Sequence, residues 1–154
     1  MADEPAAIRP PDTAPEPTAA AAAADWIAPP PPAAELPRTI PKPWGSELIW
    51  AWTTRYVGKV LTIETGKRLS LQYHERKDEW ILVLDGRLLL SLADEQGVVH
   101  DRELGPGDTA HVPVGHVHRY EARQTCRLME VSTPELEDVV RLQDDFGREG
   151  TSAP

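Results

Sequence analysis

The sequence contains one cysteine, Cys126, so it can form neither an internal disulfide nor a cysteine-rich zinc site. It has no apolar run of membrane-spanning length, and its N-terminus lacks the basic start and apolar stretch of a secretory signal. Positive charge is scarce, because 16 Lys and Arg face 25 Asp and Glu, for a formal net charge of -9. Such an acidic chain is poorly suited to bind nucleic acid or an anionic membrane. We therefore expect a cytoplasmic protein that binds neither.

Proline is concentrated at one end of the chain, where 12 of the 16 prolines lie within the first 43 residues among alanines and acidic residues. A segment of this composition cannot form a core, and Ala19–Ala24 has the length for only a turn or two of helix. The remaining length suffices for one domain. We therefore predict a disordered Ala/Pro-rich arm over residues 1–38, one domain over 39–148 and a flexible tail over 149–154.

After about residue 40, apolar residues alternate with polar ones or form short blocks between turn residues, which indicates β-strands. Asp85-Gly86 between two apolar runs predicts a tight hairpin. One helix is predicted from Thr133-Pro134, with Leu136, Val139 and Val140 at helical spacing. Many short strands at short spacing predict an all-β sandwich or barrel of the jelly-roll type. The predicted strands are Val57–Glu64, Arg68–Tyr73, Glu79–Asp85, Arg87–Leu92, Val98–Asp101, Asp108–Val112, His116–Glu121 and Arg127–Ser132.

Four potential metal ligands lie in two stretches of the chain, residues 66–86 and 107–119. Gln72 and His74 are two residues apart and point to the same face, and the loop after them lets Glu79 approach from the next strand. His118 follows a turn that contains proline and glycine. Two imidazoles, one carboxylate and one amide oxygen suit Zn, Mn, Fe, Co or Ni, with positions left for substrate oxygens. The spacing therefore predicts one divalent metal ion bound by these four residues.

The same two stretches resemble the two cupin motifs. In the first, a glycine precedes two ligands one residue apart, a glutamate and a closing glycine, and in the second a glycine precedes Pro-x-Gly and histidine. Most cupins have histidine at the first ligand position, whereas Ser70–His74 with its glutamine resembles the C-terminal cupin domain of type II phosphomannose isomerases. Further matches to that family are Lys42–Ser46, His118–Glu121 and Glu137–Arg148. The resemblance implies a single-domain cupin, an antiparallel jelly-roll β-barrel.

The resemblance also implies an enzyme of carbohydrate metabolism or polysaccharide biosynthesis. Its expected reaction interconverts an aldose phosphate and a ketose phosphate of the mannose 6-phosphate and fructose 6-phosphate type through an enediol or enediolate. A cation would polarise the sugar carbonyl, and a base would carry the proton between adjacent carbons. His116, two residues before His118, is the first candidate for this base, with Glu75 and His111 as alternatives.

The phosphate of such a substrate needs fixed positive donors on an otherwise acidic chain. Arg119 and Lys77 are favoured because the resemblance places basic residues at these two positions, and Arg76 and Arg68 are further candidates. Type II enzymes usually carry a large N-terminal sugar-nucleotide transferase domain that the sequence lacks. We therefore expect no guanylyltransferase activity.

Two other functions are compatible with the same ligands. One is a non-catalytic, metal-containing module that binds a sugar or metabolite, and the other is a dioxygenase, which an amide in place of a histidine disfavours. Leu48, Trp50 and Trp52 alternate on one face of an edge segment, and Trp80 begins another strand. This pattern predicts packing in the core or between subunits rather than sugar stacking, so we expect a homodimer.

Overall fold

The computed structural model describes residues 28–148 and 150–151, which form an antiparallel structure of ten strands. Within these residues there is no α-helix, only a single 3-10 turn at Ala33–Glu35. The strands are β1 Arg38–Lys42, β2 Gly45–Trp52, β3 Val57–Ile63, β4 Leu71–Tyr73, β5 Glu79–Ala93, β6 Val99–Leu104, β7 Thr109–Val112, β8 His118–Ser132, β9 Val140–Gln143 and β10 Gly150–Thr151. Their order in the sheet is β1-β2-β3-β8-β4-β9-β10, and β5 pairs with β6, β7 and β8. This curled antiparallel sheet confirms the predicted all-β jelly roll.

The barrel is built around two long strands, β5 and β8, which pair from Glu79 opposite Ser132 to Leu92 opposite His118. Alternate residues of these strands point inward, because successive side chains of a strand face opposite sides. Their inward side chains form one apolar core with residues from β3, β6 and β7. That core includes Leu61, Ile63, Ile81, Val83, Leu88, Leu90, Leu104, Val112 and Leu128.

The hairpin predicted at Asp85-Gly86 is wrong, because β5 continues through both residues. Its ladder with β8 changes register between Asp85 and Arg87. Gly86 has a φ of 79°, and a Cβ atom there would lie 2.2 Å from the carbonyl oxygen of Thr125. The glycine therefore supplies the left-handed residue of a bulge that bends two long strands together, instead of reversing the chain. In the same way, two strands predicted around residues 116–132 form the single strand β8.

The helix predicted from Thr133-Pro134 is also wrong. Residues 136–137 form a turn, and Val140 begins β9, which pairs with β4. Leu136 and Val139 line an internal cavity, whereas Val140 packs on a second small apolar cluster. The open edge of β4 offers backbone hydrogen bonds that a short helix could not provide, so tertiary pairing overrides the helical spacing.

Strand β2 contains a bulge at Trp50, where the pairing with β3 shifts between Ile49 and Ala51. The prediction that Leu48, Trp50 and Trp52 share one face is therefore wrong. Trp50 is 44% exposed on the outside, whereas Trp52 lines the internal cavity. One inserted residue is enough to reverse the side to which the following residues point.

Residues 1–27, including the predicted helical turns at Ala19–Ala24, lie outside the described residues, and the disordered arm stays a prediction. The described part of the chain begins at Ala28, which lines the internal cavity. The residues that the structure describes include no helix with the length and apolar character needed to cross a membrane.

Candidate metal centre

Three of the four predicted metal ligands meet inside the barrel. His74 Nε2 lies 3.6 Å from Glu79 Oε2, and His118 Nε2 lies 3.4 Å from Glu79 Oε1. One donor atom from each residue falls within 4.8 Å of the others, and all three side chains are buried. Two imidazoles and one carboxylate at these separations match the ligand types that divalent transition metals bind.

The curl of the sheet brings these residues together. His74 follows β4, Glu79 begins β5 and His118 begins β8. Along the β5–β8 ladder, Glu79 and His118 lie at opposite ends, so the ladder alone would hold them apart. Because β8 also pairs with β4, where His118 lies opposite Gln72, the sheet curves back and Glu79 meets His118 across the interior.

The histidines are held in the tautomer that metal binding requires. His74 Nδ1 donates to the backbone oxygen of Asp138, and His118 Nδ1 donates over 3.0 Å to the backbone oxygen of His116. Both Nε2 atoms are buried and have no hydrogen-bond partner among the described residues. Burial, aided by the positive charge of Lys77, lowers the pKa of His74 to about 3, so its imidazole is neutral. Two imidazole nitrogens without a hydrogen-bond partner in the described part of the chain, both beside one buried carboxylate, are what a bound cation would satisfy.

Gln72 lies in the wall of the same cavity as His74 and Glu79. Its side chain is half-buried, and its Oε1 accepts a hydrogen bond of 2.6 Å from Ser70 Oγ. This bond fixes the amide while leaving the second lone pair of the oxygen available. Gln72 as the fourth ligand stays a prediction.

Lys77 is buried beside the cluster. Its ammonium contacts Glu79 Oε2 and lies 2.7 Å from Glu130 Oε1, while Tyr120 donates a hydrogen bond of 2.7 Å to Glu79 Oε1. Burial alone would lower the pKa of Lys77, but the carboxylates of Glu130 and Glu79 outweigh it and raise that pKa above its ordinary value. Conversely, burial would raise the pKa of Glu79, but the adjacent ammonium of Lys77 holds it well below its usual range. The lysine charge is therefore compensated within the protein, which argues against Lys77 as the main phosphate ligand.

Asp138 organises the loop that carries His74 and Glu79, and the sequence analysis missed it. The buried Asp138 carboxylate accepts hydrogen bonds from the backbone N–H groups of Glu75, Arg76 and Lys77, at 3.0, 2.7 and 2.8 Å. Three donors on one carboxylate fix the backbone between the two ligands. Its only signal in the sequence was its place within the terminal segment that resembles the isomerase family.

The predicted bases lie outside the cavity. Glu75 is exposed, and the His116 ring contacts the backbone oxygen of Val114 at 3.2 Å. His111 stacks on an exposed tryptophan and pairs with Asp78 at 2.7 Å. None of the three predicted bases is among the residues that line the cavity in the described part of the chain. Their roles stay predictions without support from this geometry.

Most of the predicted phosphate ligands also lie outside the cavity. Arg119 follows His118 directly, so strand alternation points it to the opposite side, where it donates to the backbone oxygen of Gln143 at 3.3 Å. Arg68 forms a two-bond ion pair with Asp145. Of the four sequence candidates, only Lys77 lines the cavity.

Different cations line this cavity, which has a volume of about 230 Å³. Burial and the neighbouring Arg148 lower the pKa of Arg141, with Asp144 opposing them. Arg141 Nε is buried and has no hydrogen-bond partner within residues 28–148 and 150–151. Burial likewise lowers the pKa of Lys42, despite Glu47. The cavity therefore concentrates positive charge inside an acidic protein. Its charged residues are the cations Arg38, Lys42, Lys59, Lys77, Arg141 and Arg148 and the carboxylates Glu47, Glu79, Glu130 and Glu137.

Sequence comparisons find that the chain is similar to part of two much longer proteins. It is 27% identical over 116 residues to the xanthan biosynthesis protein XanB of Xanthomonas campestris, covering 72% of this chain and 24% of that protein. It is 30% identical over 116 residues to the mannose-1-phosphate guanylyltransferase ManC of Salmonella typhimurium, covering 72% and 23%. The chain thus spans about a quarter of the length of these curated relatives.

Solved structures with the same fold include KdgF from Halomonas sp., with a TM-score of 0.56 and 22% identity over 63% of this chain and 86% of that one. They also include oxalate decarboxylase of Bacillus subtilis, a protein with Mn(II) centres, with a TM-score of 0.60 and 19% identity over 68% and 30%. At these identities the likeness concerns the fold. Residues 59–132 match the family model described as "Cupin domain". The curled jelly roll, its buried His/Glu/His cluster and these matches together identify residues 59–132 as a cupin domain.

Proposed function

We propose that the protein is a metal-dependent sugar-phosphate isomerase that interconverts an aldose phosphate and a ketose phosphate, with mannose 6-phosphate and fructose 6-phosphate as the first pair to test. The observation that carries this proposal is one cavity lined both by members of the His/Glu/His cluster and by six cationic side chains. A sugar-phosphate isomerase needs both features, because a metal ion polarises the uncharged carbonyl and the cationic side chains bind the dianionic phosphate.

The metal would be held by His74, Glu79 and His118, with Gln72 as a fourth ligand. The Nε2 atoms of His74 and His118 support this assignment, because neither has a hydrogen-bond partner in the part of the chain that the structure describes. A divalent ion bound there supplies a Lewis acid that polarises the sugar carbonyl. Zn, Mn, Fe, Co and Ni all suit the donor set, and the Mn(II) centres of oxalate decarboxylase are a property of that structural relative.

The phosphate would be bound by Arg141, Lys42 and Arg148. Mutual repulsion among these cations contributes to the lowered pKa values of Arg141 and Lys42, so a dianion among them would relieve an existing cost. Arg148 is anchored by Asp144 through two bonds of 2.9 Å, which fixes its guanidinium. All three cations lie in the segments that resemble the phosphomannose isomerases, Lys42–Ser46 and Glu137–Arg148.

The proton would be carried by Glu130. Its carboxylate is buried in the cavity wall and oriented by Lys77 at 2.7 Å. In the proposed step Glu130 removes the proton from the carbon beside the carbonyl, the electron pair forms the enediolate, and the same carboxyl returns the proton to the neighbouring carbon. A second proton moves between the two sugar oxygens, so the isomerisation is redox-balanced without an external reductant.

One observation favours a second candidate, a module that binds a sugar phosphate without converting it. Lys77 contacts both Glu79 and Glu130, so neither buried carboxylate is free of an ion pair in this structure. A base whose carboxylate is held by an ammonium is weaker than a free one. The two candidates differ only in whether substrate carbon–hydrogen bonds break.

The deciding experiment is proton-exchange NMR in deuterated water. The full chain, loaded with each divalent metal in turn, is mixed with hexose, pentose and heptose phosphates. The isomerase proposal predicts deuterium at the carbons next to the carbonyl and a roughly 10²- to 10⁴-fold slower exchange in Glu130→Gln. Glu103→Gln, an exposed carboxylate on β6, is the matched control. Sugar phosphate binding without exchange would establish the binding module instead.

A further inference from the structure

One cation of the cavity, Arg38, has no part in the proposed phosphate site. Of the six cationic side chains that line the cavity, Lys42, Arg141 and Arg148 belong to that site. Two others are paired with carboxylates of the cavity wall. Arg38 forms no ion pair with any residue that the structure describes. Its positive charge is therefore available to a ligand.

Arg38 lies at the opposite end of β1 from Lys42. Arg38, Ile40 and Lys42 are alternate residues of this strand, and all three line the cavity. Four residues of extended chain separate the backbones of the two cations by about 13 Å. Burial is the main reason that the pKa of Lys42 is lowered, and the nearby charges of Arg148 and Arg141 lower it further. The cavity thus has a group of cations at one end of β1 and a single arginine at the other.

An aromatic ring holds the Arg38 side chain. The guanidinium lies 5.5 Å from the centre of the Trp52 ring, which is a cation–π contact, and Trp52 itself lines the cavity. Such a contact uses the face of the ring and leaves the N–H groups of the guanidinium available to an anion. Arg38 is also exposed, so a ligand in the cavity can reach it without a rearrangement of the barrel.

The charge of the cavity is consistent with a second anionic group on the ligand. Its six cations face five carboxylates, four in the cavity wall and that of Asp144 on Arg148. With the histidines neutral, the surplus is one positive charge, and a divalent ion at the His/Glu/His cluster raises the surplus to three. A phosphate monoester supplies about two negative charges at neutral pH. One positive charge then remains, and a carboxylate would neutralise it.

We propose that Arg38 is a carboxylate subsite of the cavity, and that the cavity binds a sugar-acid phosphate with its phosphate at the Lys42 end and its carboxylate on Arg38. The planar fork of a guanidinium binds a carboxylate through two parallel N–H bonds. This inference rests on the proposed phosphate site but not on turnover. The ligand carries a carboxylate where an aldose has its carbonyl carbon, so it competes with the isomerase substrate and is not converted.

Calorimetry of the metal-loaded full chain with two matched ligands tests the proposal. Gluconate 6-phosphate and glucitol 6-phosphate differ only at carbon 1, which is a carboxylate in the first and an alcohol in the second. The wild type should bind gluconate 6-phosphate about 10- to 100-fold more tightly, the gain from one charge-assisted pair. Arg38→Ala should remove this gain and leave the affinity for glucitol 6-phosphate unchanged. Arg38→Gln, which keeps the side-chain stem on Trp52, should do the same.

Arg55→Ala is the matched control, because it removes an exposed arginine between β2 and β3 that does not line the cavity. It should keep the full difference between the two ligands. Equal affinity of the wild type for both ligands, or binding of neither, would overturn the proposal. A gain that survives both Arg38 variants would place the carboxylate on the metal ion and would also overturn it.

A comparison of fructose 1,6-bisphosphate with fructose 6-phosphate distinguishes a carboxylate from a second phosphate. If Arg38 favours only the bisphosphate, with no gain for gluconate 6-phosphate, the carboxylate assignment is wrong. The isomerase proposal is decided separately by deuterium exchange in mannose 6-phosphate. Exchange without a carboxylate gain, or a carboxylate gain without exchange, shows which of the two proposals has failed.

Discussion

Replacing Lys77 by methionine should make the stability of the protein depend on metal. Lys77 lies beside the carboxylates of Glu79 and Glu130, and its side chain is 6% exposed. Without the ammonium, the metal-free protein must bury two carboxylates that have lost their counter-charge. A bound divalent ion would compensate Glu79 again but would leave Glu130 uncompensated. The cost of the substitution should therefore be larger without metal than with it.

The magnitude follows from the burial of the charges. Removing one partner of a buried ion pair costs about 3–5 kcal/mol. At about 2–4 °C per kcal/mol for a chain of this size, the metal-free variant should melt roughly 6–20 °C below the metal-free wild type. With saturating metal, the difference should fall to about half, since only one of the two carboxylates still lacks a counter-charge.

Lys59→Met is the matched control, because Lys59 is also buried and pairs with Glu47 at 3.3 Å in the same cavity but does not contact the cluster. Its cost should be the same with chelator and with metal. The assay is thermal unfolding of both variants and the wild type, each with EDTA and with excess divalent ion. If the cost of Lys77→Met does not change with metal, or matches that of Lys59→Met in both conditions, the charge argument fails.

Three further predictions concern other parts of the molecule. Burial raises the pKa of the Cys126 thiol to about 11, so at pH 8 only about one thiol in a thousand is ionised. Ellman's reagent should therefore react with Cys126 only after the protein is unfolded in urea. Rapid labelling of the native protein would contradict this prediction. Gly86→Ala should lower the free energy of unfolding in urea by at least about 3 kcal/mol, because it adds a backbone clash to the roughly 1–2 kcal/mol that an alanine in the left-handed region costs. In Gly66→Ala the φ is 75° but the new Cβ meets no heavy atom of the described residues within 4 Å, so only the conformational cost of about 1–2 kcal/mol should remain. Equal costs for the two variants would refute the bulge assignment. Arg141→Ala should weaken sugar phosphate binding about 10- to 100-fold in calorimetry, the loss of one charge-assisted hydrogen bond, and Arg123→Ala, which removes an exposed arginine, should not.

The cluster could be predicted because its members lie at short spacings on strands. His74, Glu79 and His118 begin or follow strands whose apolar pattern is visible in the sequence, and they meet in the structure. Strand alternation, applied one step further, would also have excluded Arg119, since it directly follows an inward-facing ligand. Glu75 and His116 lie outside the strands, where no such alternation fixes the direction of a side chain.

The cations of the cavity could not be found in this way. Lys42 and Arg141 are about a hundred residues apart in the chain and reach the cavity from β1 and β9. The apolar residues before and at the start of β9 have helical spacing, so the sequence predicted a helix there instead of a strand. Its strand conformation depends on the edge of β4, a tertiary partner that local propensity does not record. Likewise, Asp138 organises the ligand loop through hydrogen bonds to residues more than sixty positions away.

The metal content of the purified full chain tests the central claim most directly. After dialysis against each divalent ion and removal of free metal, elemental analysis should find about one ion per chain. His118→Ala and His74→Ala should lose that ion while keeping the circular dichroism of a folded barrel. A wild type that retains no ion from any of these metals, or histidine variants that retain as much as the wild type, would contradict a metal centre at His74, Glu79 and His118.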